Sequence, residues 1–206
     1  MTRRLMIAGF IFMIGAPLLA QAAKGWRLRV DRSTTASDPD AAGSIKFTSA
    51  GSGFHAVNPQ AAVYWNPANT ASGTYTLKGT FTLVRPSNHT NYYGLVFGGT
   101  DLEGGKQNYI YFTVAQDGTW LLKQRDGEGA QTIAQMSSPA VKKPDASGKS
   151  VNVLEVRVMP DKIDYVVNGT TVHSTPKSGR TAKTDGIYGF RVNHMLEVQV
   201  DGLSKS

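Results

Sequence analysis

Apolar side chains recur at every second position along most of this chain, and nowhere at three- and four-residue spacing over a helical length. In TYTLKGTFTLV, Tyr75, Leu77, Phe81 and Leu83 fall on one face, and Thr74, Thr76, Lys78, Thr80 and Thr82 on the other. Successive side chains of a strand point to opposite faces, so this alternation describes a half-buried strand. VNVLEVRVM sets Leu154, Val156 and Val158 against Glu155 and Arg157. LEVQV alternates Leu196, Val198 and Val200 with Glu197 and Gln199. Further strands are expected at WRLRV, SIKFTSA, GFHAV, AVYW, NYYGLVF, NYIYFTV and TWLLKQR, whereas AQTIAQM is too short to count as a helix. Asn168-Gly169 lies between two β-prone runs. Both residues tolerate the positive φ of a type I′ turn, so a tight hairpin is expected there. About a dozen short strands separated by Gly, Asn, Asp and Pro predict an all-β chain of two packed antiparallel sheets. Two polar loops, Arg32 to Gly43 and Ser137 to Ser150, are too short to link domains.

The N-terminus reads as a leader rather than as fold. Arg3 and Arg4 precede an apolar run from Leu5 to Ala20, and small residues follow at Ala20, Ala22 and Ala23. That is the charged start, short apolar stretch and small-residue cleavage pattern of a secretory signal peptide. Gly15 and Pro17 interrupt the run, and a membrane span needs about 20 apolar residues. Residues 1–22 are therefore expected to be a signal peptide, and residues 23–206 a single β-sandwich domain in the periplasm or medium of a bacterium. The chain has no cysteine, which excludes disulfides, thiolate metal sites and a cysteine nucleophile.

The net charge is +7, but the basic residues are scattered, with no run of like charge. A nucleic-acid partner would want a clustered basic face with interleaved aromatics, and none is expected. The four histidines, His55, His89, His173 and His194, are distant in sequence and form no zinc motif, so each reads as a surface or turn residue.

NYYGLVFGGTDLEGGKQNYIYF, from Asn91 to Phe112, places a glycine-rich acidic segment between two strands. A phosphate cradle would lead into a helix, and this segment leads into a strand. Asp101 and Glu103 are two apart, so on extended backbone they would point the same way. That spacing makes them candidates for a glycosidase acid pair or, with backbone carbonyls, for calcium; a solvated loop is the simpler reading. Tyr109 and Tyr111 should share a face opposite Ile110, Phe112 and Val114, next to Arg125 if TWLLKQR pairs with them. Aromatic planes with polar neighbours suit sugars, although aromatics are also ordinary residents of β-cores.

The order of a G-L-V-F strand, a Y-I-Y-F strand, a D-G-T-W turn, a V-N-G turn and a closing G-I-Y-G-F-R-V-N-H resembles the concanavalin A-like lectin/glucanase sandwich. More closely, the chain resembles small exported bacterial proteins near laminin-G-like and 3-keto-disaccharide hydrolase-type domains. The resemblance spans roughly Tyr75 to Leu203. It implies a two-sheet antiparallel jelly roll, often binding carbohydrate on its concave face. The E-x-D-x-E strand of the laminarinase-like branch is absent, which counts against glucanase activity. Asn193 and His194 should lie at a strand-to-strand corner, either as the polar edge of a cleft or as a turn whose Asn accepts positive φ.

The sequence thus predicts a monomeric, non-catalytic module that binds a glycan or cell-envelope polymer and needs no cofactor unless calcium occupies the acidic loop. Tyr109, Tyr111 and Trp120 are the stacking candidates, and Arg125, Asn193 and His194 the polar contacts. The alternatives are a glycoside-cleaving enzyme using Asp101, Glu103 or His194, and a structural envelope or adhesion protein. N-terminal sequencing of the exported protein should begin at Ala23. An intact Met1 in a membrane fraction would instead identify the apolar run as an anchor.

Overall fold

The computed structural model describes residues 21–206, so the expected leader lies outside the described residues except for Gln21 and Ala22. The chain forms β1 (Gln21–Ala22), β2 (Arg27–Asp31), β3 (Lys46–Ala50), β4 (Gly53–Asn58) and β5 (Ala61–Ala71). It continues with β6 (Tyr75–Arg85), β7 (Tyr92–Thr100), β8 (Asn108–Ala115), β9 (Thr119–Asp126) and β10 (Gly129–Ser137). The remaining strands are β11 (Ser150–Val158), β12 (Lys162–Val167), β13 (Thr170–Pro176), β14 (Gly186–Val192) and β15 (Leu196–Lys205). AQTIAQM lies within β10, an edge strand. Among the described residues, no helix is long and apolar enough to cross a membrane.

The strands make two antiparallel sheets. One has eight strands in the order β1-β3-β4-β15-β6-β11-β12-β13, and the other seven in the order β10-β9-β8-β7-β14-β5-β2. The last strand, β15, fills the gap between β4 and β6, while β14 fills the gap between β7 and β5. This return of the chain end to the middle of both sheets gives the jelly-roll sandwich.

The period-two pattern decides which side of each sheet is buried. Tyr75, Leu77, Phe81 and Leu83 of β6 face inward, with Leu154, Val156 and Val158 of β11 and Leu196, Val198 and Val200 of β15. They meet Tyr93, Leu95 and Phe97 of β7, Ile110, Phe112 and Val114 of β8, and Phe190 and Val192 of β14. Each large side chain so buried stabilises the fold by roughly 1.5–3 kcal/mol. Trp120 belongs to this inner set. It pairs with Val114, is 2% exposed and stacks on His173 at 5.0 Å. The expectation that Trp120 offers an open stacking plane is thereby overturned, because its strand register turns it into the core.

An aromatic group closes the sandwich beside β2 and β3. Tyr64 stacks on Phe190 at 4.8 Å, Phe47 lies 4.6 Å from Tyr64, and Trp26 lies 4.3 Å from Phe54. The buried Tyr64 hydroxyl donates to Asn58 Oδ1 at 2.6 Å, and Asn58 Nδ2 donates to the carbonyls of Gln60 and Val192. The buried polar tip of Tyr64 therefore keeps a hydrogen-bond partner.

The turns follow local chemistry with one exception. Val167 pairs with Thr170 around Asn168-Gly169, whose φ values are 49° and 82°, as a two-residue hairpin requires. At the β14–β15 corner, however, Met195 takes the positive φ of 56°, not Asn193. Asn193 is held instead by its own N–H, which donates to the Tyr92 carbonyl at 2.9 Å.

Phe190→Ala should destabilise the protein by about 3–5 kcal/mol in urea unfolding, because it empties the centre of the aromatic group. A loss below about 0.5 kcal/mol, the size of an ordinary surface substitution, would show that the two sheets do not depend on this contact.

Candidate functional site

The outer face of the seven-stranded sheet carries the groups that the core does not use. Register places Tyr109 opposite Arg125 and Tyr111 opposite Lys123, as the alternation of β8 and β9 predicts. Neither phenol is an open platform, however: Tyr109 is 0% and Tyr111 6% exposed. They form a second apolar cluster with Val63, Trp65, Val96 and Leu102. Leu102 comes from the β7–β8 loop, which therefore folds back over the sheet as a strap. Two arginines of β2 hold it: Arg27 Nη1 donates to Glu103 Oε1 and Arg29 Nη1 to the Gly104 carbonyl, each at 2.5 Å.

This arrangement corrects the reading of Asp101 and Glu103 as residues pointing the same way. Asp101 adopts φ 49°, which ends the extended backbone on which that expectation rests. Its carboxylate accepts the Lys106 N–H at 3.0 Å, while Glu103 turns to Arg27. Both acids are committed to the strap, and neither lines the cavity described next.

Beside the strap, the centre of the outer face is organised by Arg191 of β14. This side chain follows Phe190 and so points away from the core, yet the residue is only 9% exposed. Its Nη1 donates to Asp31 Oδ2 and, at 3.2 Å, to the Tyr109 hydroxyl. Its Nε donates to Asn193 Oδ1 at 3.0 Å, and its guanidinium carbon lies 5.3 Å from the centre of the Tyr111 ring. Burial opposes the charge of Asp31, but Arg191, with Arg125 and Arg29, more than offsets this and holds its carboxyl below the ordinary range. Burial also pushes the Tyr109 phenol well up, so it remains a neutral donor.

Above Arg191 opens a cavity of about 350 Å³, within the range of small-ligand sites. Tyr111, Lys123, Arg125 and Arg191 form its floor, with Leu121 as an apolar patch, and Asn193 and His194 stand at its wall. Arg125 is steadied by donating from Nε to the Gly127 carbonyl at 2.8 Å. Lys123 has no ion-pair partner among the described residues. Desolvation, with Arg191 nearby, lowers its pKa.

The opposite wall is the Arg32–Gly43 loop. Asp40 accepts the Ser33 N–H at 2.9 Å, and Ser33 Oγ donates to the Asp38 carbonyl at 2.6 Å, which shapes the loop around the cavity. Asp40 Oδ1 lies 3.1 Å from His194 Nδ1. His194 is 5% exposed and meets His89 edge to face, with ring centres 5.2 Å apart. The reading of His89 and His194 as separate surface or turn residues is corrected here, because the β14–β15 corner and the β6–β7 loop converge.

Of the expected contacts, the fold brings Tyr111, Arg125, Asn193 and His194 to one cavity, puts Tyr109 beneath it, and sends Trp120 to the core. Sequence reasoning missed Asp31, Asp38, His89, Lys123 and Arg191. A signal existed for Arg191 and Lys123: Arg191 in GIYGFRV alternates with inward Phe190 and Val192, and Lys123 in TWLLKQR alternates with inward Trp120 and Leu122, so charged groups on the outward face were readable.

No family model matches the chain, and no curated protein matches it. Solved structures do. A carbohydrate-binding module of the CBM66 type from Bacillus subtilis aligns over 88% of this chain and 95% of its own, at 12% identity and a TM-score of 0.63. A protein of unknown function with a galectin-like fold, also from Bacillus subtilis, aligns over 88% and 89% at 16% identity and a TM-score of 0.59. The carbohydrate recognition domain of Emp46p aligns over 85% of each chain at 13% identity and a TM-score of 0.55.

The fold is the concanavalin A-like jelly roll. In that fold, the cavity lies on the outer face of the seven-stranded sheet, roofed by loops rather than by a helix.

Asp31→Asn leaves Arg191 buried without its counter-charge and should cost about 3 kcal/mol of stability. Because the folded-state pKa of Asp31 is depressed, its contribution is fully present above the ordinary carboxylate range. It is lost as pH falls through the lowered value. Thermal melts at neutral pH and in acid should therefore differ less for Asp31→Asn than for the wild type. Equal acid losses in the two proteins would show that this pair does not carry the dependence.

Proposed function

We propose that this protein is an exported, non-catalytic glycan-binding module whose ligand seats in the cavity over Tyr111, Lys123 and Arg191. The observation that carries this reading is the supply of donors on the cavity floor. Lys123 has no ion-pair partner among the described residues, and the half-buried Arg125 and the buried Arg191 are braced beside it. Asp31, by contrast, is already engaged by Arg191. Such a floor suits a ligand that presents oxygen acceptors, such as sugar hydroxyls and, best of all, the carboxylate of an acidic sugar. Leu121 and the edge of Tyr111 supply apolar surface for a sugar C–H face. Two of the structural neighbours are named for carbohydrate binding or recognition, which supports the reading at the level of the fold. A cell-envelope polymer is the natural source of such a ligand if the leader directs export.

The test is a glycan array of neutral and acidic polymers probed with the purified protein, followed by titration of the best hit. Saturable binding without release of product is expected. Lys123→Ala should weaken it about tenfold or more, since a hydrogen bond to a charged group contributes about 1.5–3 kcal/mol. Release of shortened product would favour a glycoside-cleaving enzyme, and an empty array would remove the glycan reading for the polymers displayed.

A further inference from the structure

At the rim of the cavity, three ligand-type atoms from three separate segments converge on one point. Asp38 Oδ1 comes from the β2–β3 loop, His89 Nε2 from the β6–β7 loop and His194 Nε2 from the β14–β15 corner. Asp38 Oδ1 lies 2.9 Å from His89 Nε2 and 3.2 Å from His194 Nε2, and the two nitrogens are 3.1 Å apart. The three atoms thus form a nearly equilateral triangle.

Each ring nitrogen that faces away from the triangle has an oxygen partner. His194 Nδ1 lies 3.1 Å from Asp40 Oδ1, so with a proton on Nδ1 the ring donates to that carboxylate and presents Nε2 as a ligand. His89 Nδ1 lies 2.7 Å from Asn88 Oδ1, and Asn91 Nδ2 lies 2.9 Å from His89 Nε2. Both imidazoles turn Nε2 toward the other ring and toward the Asp38 carboxylate. A cation at their centre would be met by one carboxylate oxygen and two imidazole nitrogens.

We propose that Asp38, His89 and His194 form a binding site for a first-row divalent cation, zinc in particular. Two imidazoles and one carboxylate suit zinc, whereas calcium and magnesium take oxygen ligands. Bonds of about 2.0–2.2 Å in tetrahedral geometry separate ligand atoms by about 3.4 Å, so the triangle needs to open only slightly. Asp40 is the positioning residue, since it holds the His194 ring by the nitrogen opposite the ion, as carboxylates commonly do behind metal-bound histidines. Asp38 and His194 also line the cavity, which leaves the fourth position for water or an oxygen atom of a molecule in the cavity. The site does not depend on the glycan reading and can be tested without any sugar.

The experiment is calorimetric titration of the purified, tag-free protein, stripped with chelator, using zinc, calcium and magnesium in turn. One zinc per chain is expected, with no comparable uptake of calcium or magnesium. His89→Ala should abolish that stoichiometric binding while leaving the circular dichroism and the melting temperature in chelator unchanged, because His89 sits in a half-exposed loop. Asp40→Asn should weaken zinc about 10–100-fold without removing it. His55→Ala, which alters a histidine outside the site, should bind as the wild type does. Cobalt in place of zinc should give the visible absorption of a tetrahedral ion, lost in His89→Ala. Equal zinc uptake by wild type and His89→Ala, no uptake by either, or a preference for calcium would each overturn the assignment.

Discussion

Two sheets have to bury their apolar faces against each other with no cysteine to brace them, and this contact sets everything else in the molecule. The inner layer is built of large side chains, among them Phe81, Phe97, Phe112, Tyr165 and Phe190. Interiors of this kind are close-packed, so each strand is fixed in register as well as in place. A slip of one residue would turn Phe190 outward and Arg191 inward. Core packing therefore indirectly positions the charged groups on the outer face.

That outer face is only partly open. Leu102 and the strap from Asp101 to Gln107 cover Tyr109, and Arg27 and Arg29 hold the strap from the neighbouring strand. The uncovered part is the cavity over Arg191. A guanidinium this buried requires a counter-charge and acceptors, and Asp31, Tyr109 and Asn193 provide them for Nη1 and Nε. The same burial that makes the pair costly to break keeps the floor rigid. Lys123, partly desolvated and without an ion-pair partner among the described residues, is then a cation of the floor that a ligand can engage.

The loops bring in what the strands cannot. The Arg32–Gly43 loop, the β6–β7 loop and the β14–β15 corner meet at one rim, and their carboxylates and imidazoles face each other there. Strand geometry alone would have kept these groups on separate edges. Loop closure over a rigid sandwich is what allows residues more than 100 positions apart, such as His89 and His194, to share one point.

Much of the architecture was legible in the residue pattern, for a local reason. Alternation with period two, the Asn168-Gly169 turn and the scarcity of helical spacing are properties of neighbouring residues, and each was met in the fold. The shared face of Tyr109 and Tyr111, and their nearness to Arg125, followed from the same alternation. Exposure did not follow, because alternation separates two faces without saying which is covered. Trp120 thus went to the core, and Tyr109 lies beneath Leu102. Asp101 and Glu103 looked like a pair only while their backbone was taken as extended, and a positive φ at Asp101 ended that. The joining of Arg191 to Asp31, and of His89 to His194 and Asp38, depends on which strands become neighbours across the sheet and where their loops end. These are long-range contacts, and no spacing along the chain encodes them.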